Sequence, residues 1–394
     1  MLVGVVMITS IGVPKSIHIS APDLKYADCS NTAVDCYLIL KKHLVRAGLG
    51  LLAMLIAWKM PYRAWKTLAP IFYLGGFGLL MYVLMAGDSN NTFAKSWINL
   101  PALPFIDSVQ PSEVAKLGLI FFLSYFFSEK ISFEKIGELK EGFLKFAIIS
   151  GFIILPVAWQ PDIGSAMIFA VIAVVIYWLA GARITHMVGG GLIVVVIALG
   201  LIAGSEHIRT RFESFINPPS DCTEDARCWQ SRQANIAIGS GGFWGKGLTQ
   251  GIQKSFWLPQ AVDDFVFATS SEELGFVRMS LIVLLYAVVA YRSFQIAAHA
   301  PSKFAMLTAA GIGTWISVQA FVNIMVNTAL FPITGITLPF ISYGGSSMVM
   351  TLFAIGVLLN ISQNTTLYEY SPDRRRNSRS RDSQPRYSGR YTRV

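Results

Sequence analysis

The chain reads as an all-α polytopic membrane protein of about ten transmembrane helices, with one large extracytoplasmic loop between spans 7 and 8. Three observations predict this class. Of its 394 residues, 53% are hydrophobic and 14% charged, where a soluble domain carries about 25% charged residues, and its mean hydropathy is +0.52. The charges cluster, so that 147–161, 163–182, 187–204, 279–291 and 304–368 carry none. Apolar windows of about 20 residues match the thickness of a bilayer core. Lys and Arg gather in alternate gaps between these windows, the pattern of loops on the cytoplasmic side.

The first span, 2–19, is apolar from Leu2. It has no basic stretch ahead of it and no small-residue cleavage site, so it reads as a span rather than a cleaved leader. Spans 2 and 3, at 40–58 and 65–86, flank Lys59, Arg63 and Lys66. Span 4, 111–128, opens on Pro111, which suits a first helical turn, and ends before Lys130, Lys135 and Lys140. Spans 5 and 6, at 143–158 and 162–181, meet at Pro161 with almost no loop. Span 7 is 184–204, after Arg183. Spans 8, 9 and 10 are 267–291, 303–328 and 340–362, with Arg292 and Lys303 between the first two. The basic gaps place both termini in the cytoplasm and turn the loops 20–39, 87–110, 205–266 and 329–339 outward.

Two domains follow: a transmembrane domain over 1–366 and a tail over 367–394. The formal net charge of +9 comes largely from that tail, where Arg374, Arg375, Arg376, Arg379, Arg381, Arg386, Arg390 and Arg393 lie among Ser and Pro. Such a segment has little to bury and is expected to be disordered. On a multi-span protein it suits anionic membrane lipids better than nucleic acid. The four cysteines fall as Cys29 with Cys36 and Cys222 with Cys228, each pair within one outward loop. Disulfides persist in oxidising compartments, so Cys29–Cys36 and Cys222–Cys228 bridges are expected, although four cysteines permit three connectivities.

The chemistry concentrates in polar residues at the outer edge of the spans. Asp263 and Asp264 close the large loop, where a carboxylate costs free energy unless something uses or pairs it. On a helix the two point in different directions, so only one can face a cavity. Glu113 and Lys116 stand three apart on one helix face below the outer interface, and a lipid-facing pair is disfavoured, so they are expected to face a cavity. Asp162 can cap span 6 or stand at the cavity mouth. The glycine-dense run Gly239–Gly247 could let backbone approach a ligand, with Arg232, Lys246 and Lys254 suited to an anionic phosphate. Glu272 and Glu273 enter a span side by side, and one of them is expected to pair with Lys or Arg. The segment 331–347 holds two prolines and three glycines before Ser347. It reads as a broken, re-entrant path, tolerated where it is buried or lines a watery cavity, with Ser342, Tyr343, Ser346 and Ser347 able to satisfy it or bind a headgroup. The five histidines are scattered. No P-loop, Ser-His-Asp set or G-x-G-x-x-G context stands out, which disfavours a nucleotide-driven pump.

Together these motifs resemble the SEDS family, the RodA/FtsW/SpoVE polytopic proteins of bacterial cell-wall synthesis. The resemblance is carried by QPSEVAK (110–116), QPDIGS (160–165), NIAIGSGGFWGKG (235–247), LPQAVDDFVFATSSEELGF (258–276) and FPITGITLPFISYGGSS (331–347), and QKSFWLP (253–259) leans to the FtsW, or division, branch. It implies a ten-span fold and a peptidoglycan glycosyltransferase that polymerises lipid II into glycan strands on the outer face of the bacterial cytoplasmic membrane, releasing polyprenyl diphosphate. The family's essential aspartate, in Leu-Pro-Glu-x-His-Thr-Asp-Phe, falls on Asp264. The family's Glu, His and Thr are Gln260, Val262 and Asp263 here, so a second negative charge stands beside the first. Where the family carries Arg before Trp, this chain has Lys95-Ser96-Trp97.

The resemblance gives Asp264 the role of base toward the acceptor hydroxyl, or of a group that holds a cation. Asp263, Glu273 and Asp162 are auxiliary to it. Arg209, Arg211, Lys246 and Lys254 become candidate contacts for the departing pyrophosphate, while Glu113, Lys116, Ser342 and Ser346 are candidates to bind substrate. A divalent cation, Mg or Mn, is the one cofactor left open, with its ligands unassigned. The expected partners are lipid II, membrane lipids and a class B penicillin-binding transpeptidase. A lipid II flippase using the same cavity, and a non-catalytic scaffold for the transpeptidase, are the competing readings.

Overall fold

The computed structural model describes residues 1–22, 29–32, 34–87, 96–99, 108–191, 200, 206–217, 222 and 226–365. The basic tail beyond Thr365 and Lys95 lie outside these residues. The chain is helical almost throughout. In order it forms α1 (Leu2–Ile11), α2 (Val13–Ser20), α3 (Leu38–Lys59) and α4 (Tyr62–Ala86). A two-residue antiparallel pair, β1 (Ile98–Asn99) with β2 (Ser108–Val109), leads into α5 (Pro111–Tyr125). Then come α6 (Phe133–Ile136), α7 (Lys145–Trp159), α8 (Ile163–Gly181) and α9 (184–191). The chain ends in α10 (Glu206–Ile216), α11 (Ala226–Gly241), α12 (Val266–Ala298), α13 (Lys303–Asn327) and α14 (Gly345–Gln363).

Among the described residues, six helices are long and apolar enough to cross a bilayer, or seven if the bent pair α1–α2 is one span. The six are α4, α7 with the π-helical turn before it, α8, α12, α13 and α14. That differs from the expected ten for local reasons. Lys41, Lys42, Arg46 and Lys59 charge the 22-residue α3. The α-helical part of α5 is 15 residues, continued by a π-helical turn over Phe126–Lys130. The expected span 184–204 lies largely outside the described residues. Span 1 is corrected from one helix to two, meeting at 57°. Pro14 explains the break, because it has no N–H to donate to the Ser10 carbonyl four residues back. Lys254 Nζ reaches that carbonyl instead, at 3.4 Å.

Of the six candidate spans the most buried is α13, which packs on α5, α8 and α12. Around it, α4 packs on α5 and α14 on α3. The outward face of α12 carries exposed Phe276, Leu281, Leu284, Leu285 and Val288, the surface a lipid-facing helix presents.

The large loop folds onto α12. Gly275 sits inside that helix with φ 76° and ψ 175°, a conformation that L side chains rarely adopt. Its neighbours therefore cannot make helical bonds, and the segment after α11 takes them over. Lys246 and Gly247 donate backbone N–H to the carbonyls of Glu272 and Glu273 at 3.0 Å each, while Phe276 and Val277 donate to Gly242 and Phe243 at 2.9 and 3.2 Å. A Cβ on Gly275 or Gly245 would overlap the facing backbone. The glycine-dense turn thus meets α12 closely at Gly241 and Gly245. The disulfides are Cys29–Cys36 and Cys222–Cys228, with Cα–Cα distances of 5.8 and 5.2 Å.

Candidate active site

A cavity of about 690 Å³ opens at one end of the bundle. Its wall is built by α2, α3, the start of α8, α11, the segment 254–264 and the loop between α13 and α14. Three carboxylates line it, Asp162, Asp263 and Asp264, together with four cations, Lys15, Arg46, Arg227 and Lys254. Trp97, Gln110, Phe256 and Tyr343 complete much of the rest.

Asp264 is held by its backbone rather than by its carboxylate. Asn323 and Asn327, one turn apart on α13, donate their side-chain amides to the Asp264 carbonyl oxygen at 2.8 and 2.9 Å. The Asn323 amide also reaches the Ile336 carbonyl at 2.7 Å, and the Asn327 side-chain oxygen accepts from the Ala268 N–H at 2.9 Å. On the other side, Ser342 Oγ donates to the Asp263 carbonyl at 2.6 Å and accepts from the Leu338 N–H at 2.8 Å. The Tyr343 N–H donates to the Val262 carbonyl at 2.9 Å. Three successive carbonyls are thus claimed by α13 and the loop between α13 and α14, which leaves the Asp264 side chain free to point into the cavity. Gly335, with φ 75°, passes over it, and a Cβ there would lie 3.7 Å from Asp264 Oδ2.

The half-buried Asp264 carboxyl is pushed up to about 7 from the ordinary 3.8. Withdrawal from solvent is the main cause, the charge of Asp263 adds to it, Lys15 opposes it, and Asp162 adds a further rise. Asp263 itself forms an ion pair with Lys15. The rings and cations are stacked close by: Arg46 lies 4.5 Å and Lys15 5.6 Å from the Tyr343 ring centroid. Asp162 caps α8, accepting from the Ser165 N–H at 3.0 Å, and also lines the cavity, so both expected roles coincide.

Other expected site residues lie elsewhere. Glu113 and Lys116 do not line the cavity: they are buried, 2.9 Å apart, with Lys116 Nζ also donating to Gln319 Oε1 at 2.9 Å. The reason is α13, which covers that face of α5 and supplies the polar partner lipid could not. Arg209 stands exposed on α10, paired with Glu213 at 3.0 Å. The side chain of Arg211 lies outside the described residues. Lys246 turns from the cavity to Glu272, at 2.7 Å. Lys254 lines the cavity but is bound to Glu273 at 2.6 Å. Both glutamates, rather than one, have a lysine. Glu273 also accepts from Ser10 Oγ at 2.6 Å, tying α1 to the break in α12. Ser346 accepts from the Gln110 N–H at 3.0 Å and so fixes the entry to α5.

Lys15, Arg46, Asn323 and Asn327 were not singled out from the sequence. The two asparagines carried a signal, polar residues at i and i+4 in an uncharged span. The described residues hold no group of three His, Cys, Asp or Glu that could bind a metal. Asp263 is taken by Lys15 and Asp162 by its cap, so the residues do not fit a protein-built divalent site.

Comparisons with known proteins agree with this architecture. Stage V sporulation protein E of Bacillus subtilis (strain 168) is 39% identical over 332 residues, 84% of this chain and 88% of its own length. A probable peptidoglycan glycosyltransferase FtsW of Trichlorobacter lovleyi is 35% identical over 329 residues, 83% of this chain and 84% of its own. The crystal structure of the rod shape determining protein RodA of Thermus thermophilus matches with a TM-score of 0.60 at 26% identity, covering 92% of this chain and 95% of that one. A chain of a structure described as structural coordination of polymerization and crosslinking by a peptidoglycan synthase complex matches with a TM-score of 0.69, covering 93% of this chain and 98% of that one; at 24% identity it shows the fold alone. The family model FTSW_RODA_SPOVE, described as cell cycle protein, matches residues 1–367, and the chain belongs to that family.

Proposed function

We propose that this chain is a peptidoglycan glycosyltransferase that polymerises lipid II into glycan strands at the outer face of the bacterial cytoplasmic membrane, releasing polyprenyl diphosphate, in cell division. The observation that carries the reading is Asp264, clamped by its backbone and pushed up to about 7 in a cavity that also holds Lys15, Arg46, Arg227 and Lys254. A general base works best when its pKa lies near the operating pH. In this reading Asp264 takes the proton of the acceptor sugar hydroxyl. The cations stabilise the charge that develops on the departing diphosphate. No step is routed through a metal ion.

The ten-span topology belongs to the same proposal, with α1–α2 as one broken span, α3 and α5 as two more, and the expected span 184–204 as the tenth. The cavity faces outward and both termini lie in the cytoplasm. What supports that orientation is Cys228 beside the cavity residue Arg227, since its bridge to Cys222 suits an oxidising compartment. The Lys66–Glu129 pair, 2.6 Å apart, belongs to the basic gaps of the opposite side. The partner in this reading is a class B penicillin-binding transpeptidase.

The test is polymerisation of lipid II by the purified chain in nanodiscs. Asp264→Ala is expected to abolish glycan product while keeping the thermal transition of the parent. Unaltered product from that variant overturns the proposal and leaves the flippase or scaffold reading. Running the assay with and without chelator tests the absence of a metal step, because loss of product on chelation contradicts it.

A further inference from the structure

The pair of adjacent aspartates poses an electrostatic problem that Asp264 alone does not. Where the family motif carries an uncharged Thr, this chain has Asp263, and a second carboxylate beside a half-buried one makes ionising both costly. The structure supplies a counter-charge from an unexpected direction. The bend between α1 and α2 turns α2 toward the cavity, and Lys15, on its first turn, pairs with Asp263. Lys15 also lies over Tyr343, whose backbone N–H holds Val262. The lysine is therefore fixed between the ring and the carboxylate.

We propose that Lys15 is a positioning residue: by holding the Asp263 carboxylate it leaves Asp264 as the member of the aspartate pair that is free to act, so that Lys15 and Asp263 work as a matched replacement for the neutral residue of the family motif. This rests on the reading of Asp264 as the base. Other charged groups around Asp264 are Asp162 at the start of α8, Arg46 on α3, Arg227 on α11 and Lys254 on the segment after it. The face that α13 turns to it is neutral, Asn323 and Asn327. Arg46 stacks on Tyr343 and Lys254 is bound to Glu273, so Lys15 is the cation that engages the neighbouring carboxylate.

The sign of each substitution follows. Removing Lys15 strips a positive charge and favours the protonated acid. Removing the Asp263 charge does the reverse. The experiment is the pH–rate profile of lipid II polymerisation by the full chain in nanodiscs for Lys15→Met, Lys15→Arg, Asp263→Thr and the double variant Lys15→Met/Asp263→Thr. Lys15→Met is expected to move the midpoint by about one pH unit to the alkaline side, which is about tenfold less activity below it. Asp263→Thr is expected to move it to the acid side. Lys15→Arg and the double variant are expected to return it close to the parent. An unmoved Lys15→Met profile, or a double variant no better than Lys15→Met, overturns the positioning role. If Lys15→Met does not fold, Asp263→Thr decides, because an unmoved midpoint there overturns the role equally. Asp264→Asn, run alongside, separates the two failures: full activity in it overturns the underlying reading, and the role of Lys15 with it.

Discussion

Asn327 on α13 binds Asp264 through the backbone, donating its amide to the carbonyl at 2.9 Å, while its own side-chain oxygen receives the Ala268 N–H at 2.9 Å. One side chain thus joins the last turn of one helix to both sides of the Asp264–Ala268 turn. Asn323 repeats the contact from the turn before. Replacing Asn327 by Leu removes a donor and strands the Ala268 N–H, which costs about 1–3 kcal/mol for a buried unsatisfied group. We expect a lowered thermal transition and a fall in kcat of at least tenfold, with KM less affected. A kcat equal to the parent would show that the clamp does not position the base.

The pH dependence follows from the same residue. Because Asp264 is pushed up to about 7 from 3.8, the folded chain binds more protons than the unfolded chain between those values. Its stability is therefore expected to fall as pH rises from about 4 to 7. Activity moves the opposite way, since the base must be ionised. Polymerisation is expected to rise through a midpoint near 7, while Asp264→Asn loses the stability slope contributed by this group. Thermal melts of both proteins across that range, beside the rate profile, check the sign.

The ion pairs at the break in α12 differ in burial and so in consequence. Glu273 is 0% exposed and its partner Lys254 8%, whereas Lys246, the partner of Glu272, is 30% exposed. Removing one member of a buried pair leaves an uncompensated charge and costs about 3–5 kcal/mol. Lys254→Met is expected to destabilise the chain by that order. Lys246→Met is expected to cost less, because solvent reaches its end of the pair. Equal losses in the two variants, measured by thermal unfolding, would contradict this ranking.

Gly275→Ala tests the seam between the large loop and α12. The residue needs φ 76°, and an added Cβ would overlap the backbone of Gly245 and Trp244. We expect a variant that expresses poorly or unfolds well below the parent. Gly48→Ala, where a Cβ meets nothing within 4 Å, is the control and should be silent.

The Glu113–Lys116 pair should behave as structure, not as a substrate contact. Lys116 is held by Gln319 as well as Glu113, and Gln319 in turn accepts from Trp315 Nε1 at 2.7 Å. Lys116→Met is expected to lower thermal stability, with KM for lipid II unchanged in whatever fraction folds. A selective rise in KM would return the pair to the binding site.

Hydropathy and charge placement by themselves determined that this chain is a membrane protein; the residues of 258–276 marked the Asp263–Asp264 pair, and the resemblance to the family motif singled out Asp264 within it. These are local properties: an apolar window must be long enough to cross a bilayer, and a short motif keeps its residues wherever it folds. What surrounds Asp264 was decided by tertiary structure. Lys15 and Asp263 are separated by 248 residues, Ser10 and Glu273 by 263, and Asn327 reaches back 63. No periodicity encodes such meetings, because each depends on how a bent first helix, a broken α12 and the loop between α13 and α14 pack around α13. For the same reason the sequence assigned Glu113, Lys116 and Lys246 to the cavity. Their charges were legible, but the protein groups that would claim them arrive from distant elements, and burial lets the nearest such partner win.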